Sequence, residues 1–248
     1  MISLRGVSRY ISDLHLQPEL DIVNQRFERF LDDCRQGQIG SLFILGDLFE
    51  YWIGDDNGAD PFNAWVAAKL RGLADCGTEI FFIAGNRDFL LGETYATACG
   101  MRVLDEQTKV GAGGGMACLL LHGDTLCTDD VAYQGFRAMV RQAPWQGKFL
   151  ARPLPERIAE VAELRRRSQE AMRDKTAEIM DVNANAVRNA LEANQCQRLI
   201  HGHTHRPDMH VIALGETQGE RWVLSDWAAE RGDAIEIDGD RIRRLPLR

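Results

Sequence analysis

No apolar run in this chain approaches the ~20 residues that a membrane-spanning helix requires, so any contact with a bilayer is expected to be peripheral. Cysteine is present but not organised: Cys34, Cys76, Cys99, Cys118, Cys127 and Cys196 are scattered, with no close pair. That spacing argues against a disulfide framework and a cysteine-built zinc site, and reduced thiols in the cytoplasm are the simplest account. Met1 leads directly into a strand-like stretch, so no cleavable apolar leader is expected. Positive charge is also short. Twenty-nine Lys and Arg face 37 Asp and Glu, a net charge of -8, which argues against a general nucleic-acid binder. One region departs from this balance: residues 137–173 hold nine Lys/Arg against four Glu, a local excess of +5 open to an anionic partner. Internal repeats and low-complexity linkers are missing. The glycine run at 111–115 lacks the strand-to-helix context and the Lys-Ser/Thr ending of a phosphate-binding loop, and it reads as a turn.

What is present is ordinary in amount and unusual in arrangement. The 248 residues are 45% hydrophobic and 27% charged, as in a soluble globular chain large enough for one α/β domain carrying an insertion. The organising stretch is Ser41-Leu42-Phe43-Ile44-Leu45-Gly46-Asp47, an apolar run that stops at a glycine and a carboxylate. Such a run reads as a buried strand, and open α/β sheets collect ligands beyond the carboxyl ends of their strands. The same grammar recurs where Ile11 leads to Asp13 and His15, Ile83 to Asn86, Arg87 and Asp88, Leu121 to His122, and Ile200 to His203 and His205. Carboxylate, amide and imidazole donors together suit a borderline-hard divalent ion such as Mn²⁺.

The elements between these tips alternate. A helix is expected from about Asn24 to Cys34, and Asp60 with Pro61 should cap and open another that stops near Gly77. A strand from Glu79 to Ala84 completes a β-α-β-α-β succession, which predicts a sheet covered by helices. Short strands follow from Met101 to Leu121, then a helical region over 129–194 broken near Pro144, Pro153 and Pro155. A segment of that length between strands reads as an inserted cap. Four further strands close the chain near Val211–Leu214, Trp222–Leu224, Ala234–Ile237 and Arg241–Leu245, with Asp238-Gly239 as a hairpin turn.

Taken in order, Asp13-x-His15, Gly46-Asp47, Gly85-Asn86-Arg87-Asp88, His122 and Gly202-His203-Thr204-His205 resemble the calcineurin-like metallophosphoesterases. The stretches from His122 to Asp130, Ile179 to Asn183 and His201 to Pro207 resemble the branch that splits the pyrophosphate bond of a UDP-linked diacylglucosamine lipid in lipid A biosynthesis. The resemblance spans nearly the whole chain. It implies a four-layer αββα sandwich of two mixed sheets over 1–248, with a helical cap inserted at 129–194, and two Mn²⁺ ions replaceable by Mg²⁺ or Co²⁺. It assigns Asp13, His15, Asp47 and His205 to one metal and Asp47, Asn86, His122 and His203 to the other, so that Asp47 bridges. Asp47, Asn86, Arg87, His122 and His203 then carry catalysis. Asn86, Arg87, Asp130, Ser168, Lys175 and His203 fall on substrate, with Met172 where the branch usually has an asparagine. His201 and His210 are assigned to packing. The implied setting is a monomer at the cytoplasmic face of the inner membrane, bound peripherally and without nucleic acid.

Two divalent ions ~4 Å apart lower the pKa of a shared water and hold phosphoryl oxygens, which is what hydrolysis of a phosphoanhydride needs. Arg87 stands where the larger family commonly has histidine. Its pKa above ~12 makes it a fixed cation, suited to a phosphate leaving group that departs without a proton. In the cap, Phe136, Met139, Val140, Trp145, Phe149, Leu150, Leu154, Ile158, Val161 and Leu164 are either packing or a groove for acyl chains. Arg137, Arg141, Lys148, Arg152, Arg157 and the Arg165–Arg167 run either meet lipid headgroups or pair with Glu160, Glu163 and Glu170 on a solvated face. Two other readings are a dimetal core acting on a nucleotide, phosphoprotein or cyclic nucleotide, and a metal-free scaffold using the fold for protein binding.

Overall fold

The computed structural model describes residues 2–4, 6–112, 116–173, 179 and 181–247. Its first half runs β1 (Ile2–Leu4), β2 (Ser8–Ile11), α1 (Asp21–Gln36), β3 (Ser41–Ile44), α2 (Pro61–Ala74), β4 (Glu79–Phe82), α3 (Glu93–Cys99) and β5 (Met101–Val103). Then come β6 (Thr108–Ala112), β7 (Cys118–Leu120), α4 (Val131–Val140), α5 (Ala143–Leu150), α6 (Leu154–Arg173) and α7 (Ala184–Ala193). The chain closes with β8 (Arg198–His201), β9 (Met209–Leu214), β10 (Thr217–Val223), β11 (Asp233–Asp238) and β12 (Arg241–Pro246).

The strands form two six-stranded mixed sheets, ordered β12-β11-β2-β3-β4-β5 and β1-β6-β7-β8-β10-β9. Side chains alternate across a strand, and here both faces are apolar because both are covered. Tyr10, Phe43, Leu45, Phe81 and Ile83 of the first sheet face Val110, Cys118, Leu120 and Ile200 of the second. Tyr10, Phe43 and Phe81 stack across three adjacent strands, with ring centroids 5.0 and 4.6 Å apart. The alternate residues Ile11, Leu42, Ile44, Ile80 and Phe82 turn outward against α1, α2 and α3. Leu119, Leu121 and Leu199 turn outward from the second sheet against Val187 and Leu191 of α7. The result is the expected αββα sandwich.

Local chemistry explains the helices. In α1, Val23, Phe27, Phe30, Leu31 and Cys34 are buried at helical spacing. At the start of α2, Asp60 accepts the backbone N–H of Phe62 at 3.0 Å and Pro61 occupies the first turn. The last hairpin turns at Gly239 and Asp240 between paired Asp238 and Arg241, one residue beyond the expected turn. Gly239 has φ 59°, a conformation that favours glycine.

The helical region divides. Phe149 of α5 is buried in the cluster beneath α1–α3, with Trp145, Leu154 and Val161 packed against it. Two sets of polar contacts tie these helices to the sandwich. Arg137 reaches Asp124 and Glu106 at 2.7 Å each, and Arg141 reaches Glu106 and the Gly85 carbonyl at 2.8 Å each. Buried Arg157 donates to the Ile53 carbonyl and pairs with Asp56. Arg152 pairs with Glu160, and Arg166 and Arg167 pair with Glu163 on an exposed face. The basic excess is therefore largely neutralised by neighbours. No helix among the described residues is long and apolar enough to cross a membrane.

Candidate metal centre

The carboxyl ends of β2, β3, β4, β7 and β8 meet along one edge of the sandwich, and each delivers its motif there. One atom each from Asp13, His15 and His205 lie within 4.8 Å of one another, as do one each from Asp13, Asp47 and His122. Asn86 Oδ1 lies 2.9 Å from His122 Nε2 and 2.8 Å from His203 Nδ1. Asp47 Oδ2 is 3.7 Å from His122 Nε2, which places Asp47 in the second cluster, and Asp13 is the residue that the two clusters share. All seven expected ligands are together.

The backbone is bent to achieve this. Seven described non-glycine residues have positive φ, and five are Asp13, His15, Asp47, His203 and His205, with φ from 49° to 67°. A side-chain-bearing residue in this region costs about 1–2 kcal/mol. Five such costs at one edge mark a site whose aim takes precedence over backbone comfort. Glycines make room beside them. A Cβ on Gly46 would stand 2.5 Å from Gly85 Cα and 2.7 Å from His122 Nδ1. One on Gly202 would overlap Asp13 Oδ2 and Ser12 Oγ. Replacing Gly202 by alanine is expected to destabilise the fold by about 1–3 kcal/mol and to weaken metal binding in parallel. Thermal melting with and without metal checks this; a wild-type response would show that the close approach is unimportant.

Behind the ligands lies a shell of hydrogen bonds that sequence reasoning did not single out. The Asp88 carboxylate accepts the N–H groups of Gly85 at 2.8 Å, Leu48 at 2.7 Å and Asp47 at 3.2 Å, joining the loops after β3 and β4. Burial and the neighbouring Asp47 push the Asp88 pKa up to about 6, against the pull of its backbone donors. His15 Nδ1 lies 2.9 Å from Glu50, which also pairs with Arg165 and lies 3.8 Å from Arg87. Asp124 takes bonds from Tyr133 at 2.8 Å and Arg137 at 2.7 Å, and the Tyr133 ring lies 5.9 Å from that of His203. Asp88 and Asp124 sit inside quoted motifs, a signal that could have found them. Glu50 carried none.

The donor set fits divalent metal. His122 Nδ1 is 2.9 Å from the Leu45 carbonyl, which can only accept, so Nδ1 carries a proton and Nε2 points into the cluster. His15 Nε2 and His205 Nε2 face each other at 3.5 Å. Lone pairs aimed at one another are costly unless a proton or cation lies between them. His203 stays neutral, its pKa lowered to about 4 by burial and by His122, which leaves a nitrogen able to ligate. Burial disfavours charge on His122, but Asp47, Asp13 and Asp124 outweigh it and raise its pKa to about 9.

Because that folded value exceeds the ordinary one near 6.5, protonated His122 contributes stability below the ordinary value. That contribution is lost as pH rises through about 9. A metal must displace the proton. Metal affinity is thus expected to rise with pH up to about 9 and then level off, with proton release visible by calorimetry in buffers of different ionisation enthalpy. Affinity independent of pH from 6 to 9 would remove His122 from the ligand set.

A groove of about 740 Å³ opens over the centre. His15, Asp47, Asn86, His203 and His205 line one end, together with Arg87, Asp130 and Ser168. Phe136, Met139, Val140, Trp145, Phe149, Val161 and Leu164 line the rest. Asp130 also caps α4 by accepting the Tyr133 N–H at 3.1 Å. Lys175 lies outside the described residues, as does the side chain of Met172. His201 is buried and neutral, its pKa lowered to about 3 by desolvation and Arg221.

Strand-tip carboxylate, amide and imidazole donors gathered on a double-sheet sandwich define a metallophosphoesterase, and the chain belongs to the calcineurin-like phosphoesterase family, whose pattern matches residues 10–207. Within that class, the chain is 46% identical over 240 residues to the UDP-2,3-diacylglucosamine hydrolase of Chromobacterium violaceum, covering 96% of this chain and 98% of that one. It is likewise 46% identical over 218 residues to the protein of that name from Aromatoleum aromaticum, 88% of each chain. An Escherichia coli O127:H6 protein of the same name is 46% identical over 238 residues, covering 95% of this chain and 97% of that one. Among solved structures, a dimetal phosphatase from Danio rerio is similar with TM-score 0.54 at 12% identity, covering 98% of this chain and 96% of that one. That last likeness speaks to the fold alone.

Proposed function

We propose that the protein hydrolyses the pyrophosphate bond of UDP-2,3-diacylglucosamine, releasing UMP and 2,3-diacylglucosamine 1-phosphate, as a step of lipid A biosynthesis. The observation that carries this reading is the continuity of one groove from the strand-tip donors to the apolar wall of α4, α5 and α6. A substrate with a diphosphate head and two acyl tails needs both in one cavity. We take α4–α6 as the cap and α7, packed on the second sheet, as part of the sandwich.

Asp13, His15, Asp47 and His205 would hold one divalent ion and Asp47, Asn86, His122 and His203 a second, with Mn²⁺ favoured by the mixed donor set. Such ions supply a hydroxide at neutral pH and positive charge for the phosphoryl oxygens. The chain's own groups do the rest. Asp88 fixes the two loops that present Asp47 and Asn86. Arg87, Asp130 and Ser168 line the path of the diphosphate and sugar. The apolar wall excludes water and orients the tails. We place the monomer peripherally at the cytoplasmic face of the inner membrane, where its lipid substrate is accessible.

Water attack at the α-phosphorus predicts that heavy-oxygen label from solvent ends in UMP; label in the sugar phosphate would overturn the direction of attack. Each buried methylene contributes about 0.8 kcal/mol. Removing both acyl chains is therefore expected to lower kcat/KM by at least about 100-fold. Equal turnover of the deacylated compound would favour a water-soluble nucleotide substrate instead.

A further inference from the structure

A second recess, about 240 Å³, adjoins the groove and shares Thr204 and Arg206 with it. Its remaining polar lining is Asp181, Asp208, His210 and Arg221. The volume is far above the ~10–15 Å³ that admits one water. Three features show it to be more than a surface dent. Arg221 is only 8% exposed, and its Nε has no hydrogen-bond partner among the described residues. The hydroxyl of Thr204 is buried and equally unpartnered among them. Asp181 holds Arg206 at 2.7 Å but stands 3.8 Å from Arg221, too far for a hydrogen bond. Buried polar atoms normally find partners, so Arg221 Nε and the Thr204 hydroxyl leave residues of this recess with hydrogen-bonding capacity that a ligand can take up.

Charge identifies the class. Two guanidinium groups and two carboxylates cancel, so the recess offers no net attraction to a simple anion or cation. Any phosphate placed there would face Asp181 and Asp208. A neutral ring with alternating acceptors and donors fits better: guanidinium N–H groups can donate to two carbonyls while a carboxylate accepts an intervening N–H. Thr204 and Arg206 line both cavities, and His203 and His205 flank Thr204 in the groove lining, so the recess lies next to the end of the groove where a phosphate would meet the metal centre.

We propose that this recess seats the nucleoside half of the substrate and reads the acceptor–donor–acceptor edge of uracil, an assignment that rests on the UDP-lipid reading above. Arg206 and Arg221 serve the two ring carbonyls, Asp181 takes the ring N–H, and the Thr204 hydroxyl and His210 meet the ribose. Cytosine reverses this pattern at two positions. It presents an amino group to an arginine and a bare ring nitrogen to a carboxylate, so the recess rejects it.

The test is calorimetric titration of the full chain, loaded with Mn²⁺, with UMP, CMP and inorganic phosphate. UMP is expected to bind at least about tenfold more tightly than CMP. Arg221→Met and Asp181→Asn are each expected to bring the two nucleotides to near parity, while inorganic phosphate binds as in the wild type. Retained phosphate binding reports an intact centre. If Arg221→Met fails to fold, Asp181→Asn, at a partly exposed position, decides alone. Equal binding of UMP and CMP by the wild type, or a preference that survives in a folded variant, would overturn the assignment. Hydrolysis of the UDP-lipid is scored separately. Its failure would overturn the catalytic reading, and the nucleotide preference would still decide whether the recess reads uracil.

Discussion

Replacing Asp47 by alanine is expected to lower kcat by about 10³–10⁴-fold and to reduce bound metal, with the fold retained. The magnitude follows from losing roughly 4–6 kcal/mol of charge stabilisation in the transition state. The expectation rests on the bridging role proposed for Asp47, which belongs to the cluster with Asp13 and His122 and whose Oδ1 accepts the Arg87 N–H at 2.8 Å. The side chain therefore also fixes the start of the loop that presents Asn86 and Arg87. Asparagine in its place keeps the shape and one acceptor, so a smaller loss is expected. Metal content measured beside kcat separates the possibilities. If the alanine variant kept two ions and wild-type turnover, Asp47 would not be a bridge.

Arg87→Ala carries the second large effect. Its backbone is held on both sides, the N–H by Asp47 at 2.8 Å and the carbonyl by the Trp52 N–H at 2.9 Å. Its guanidinium lies in the groove, 3.8 Å from Glu50, a loose pairing that leaves it able to meet phosphate. Removing one fixed donor from a developing negative charge costs about 10²–10³ in kcat. That loss is expected here with metal content unchanged. Arg87→Lys should recover part of the rate, because lysine keeps the charge but not the planar fork. A loss confined to KM would mean that Arg87 binds substrate without assisting the departure of the leaving group.

Much of this was legible because both the strand succession and the ligands are local in sequence. Each ligand directly follows an apolar run, so the pattern that makes a strand also places its tip. The β2-to-β4 succession and the Asp60-Pro61 start of α2 appear as expected. What local pattern could not show is which distant segments meet. α7 resembles the cap helices in composition, but Val187 and Leu191 find the second sheet instead. The short α3, seven residues between two strands, is too brief to show a helical period. For the arginines at 137–167 the sequence leaves open whether they meet headgroups or pair with nearby glutamates; Arg152, Arg166 and Arg167 do pair with Glu160 and Glu163, while Arg137 and Arg157 find Asp124, Glu106 and Asp56 on the sandwich, which no local pattern shows. Glu50 follows an unremarkable loop and becomes the partner of His15 and Arg165 only in three dimensions.

Two anchorages fix the helices that wall the groove. Arg137 and Arg141 hold α4 to the sandwich near Asp124, while Arg157 holds α6 near Ile53 and Asp56. With both helices fastened, the groove between them is expected to keep its width whether it is empty or filled, so that what it accepts is decided by fit to a standing shape.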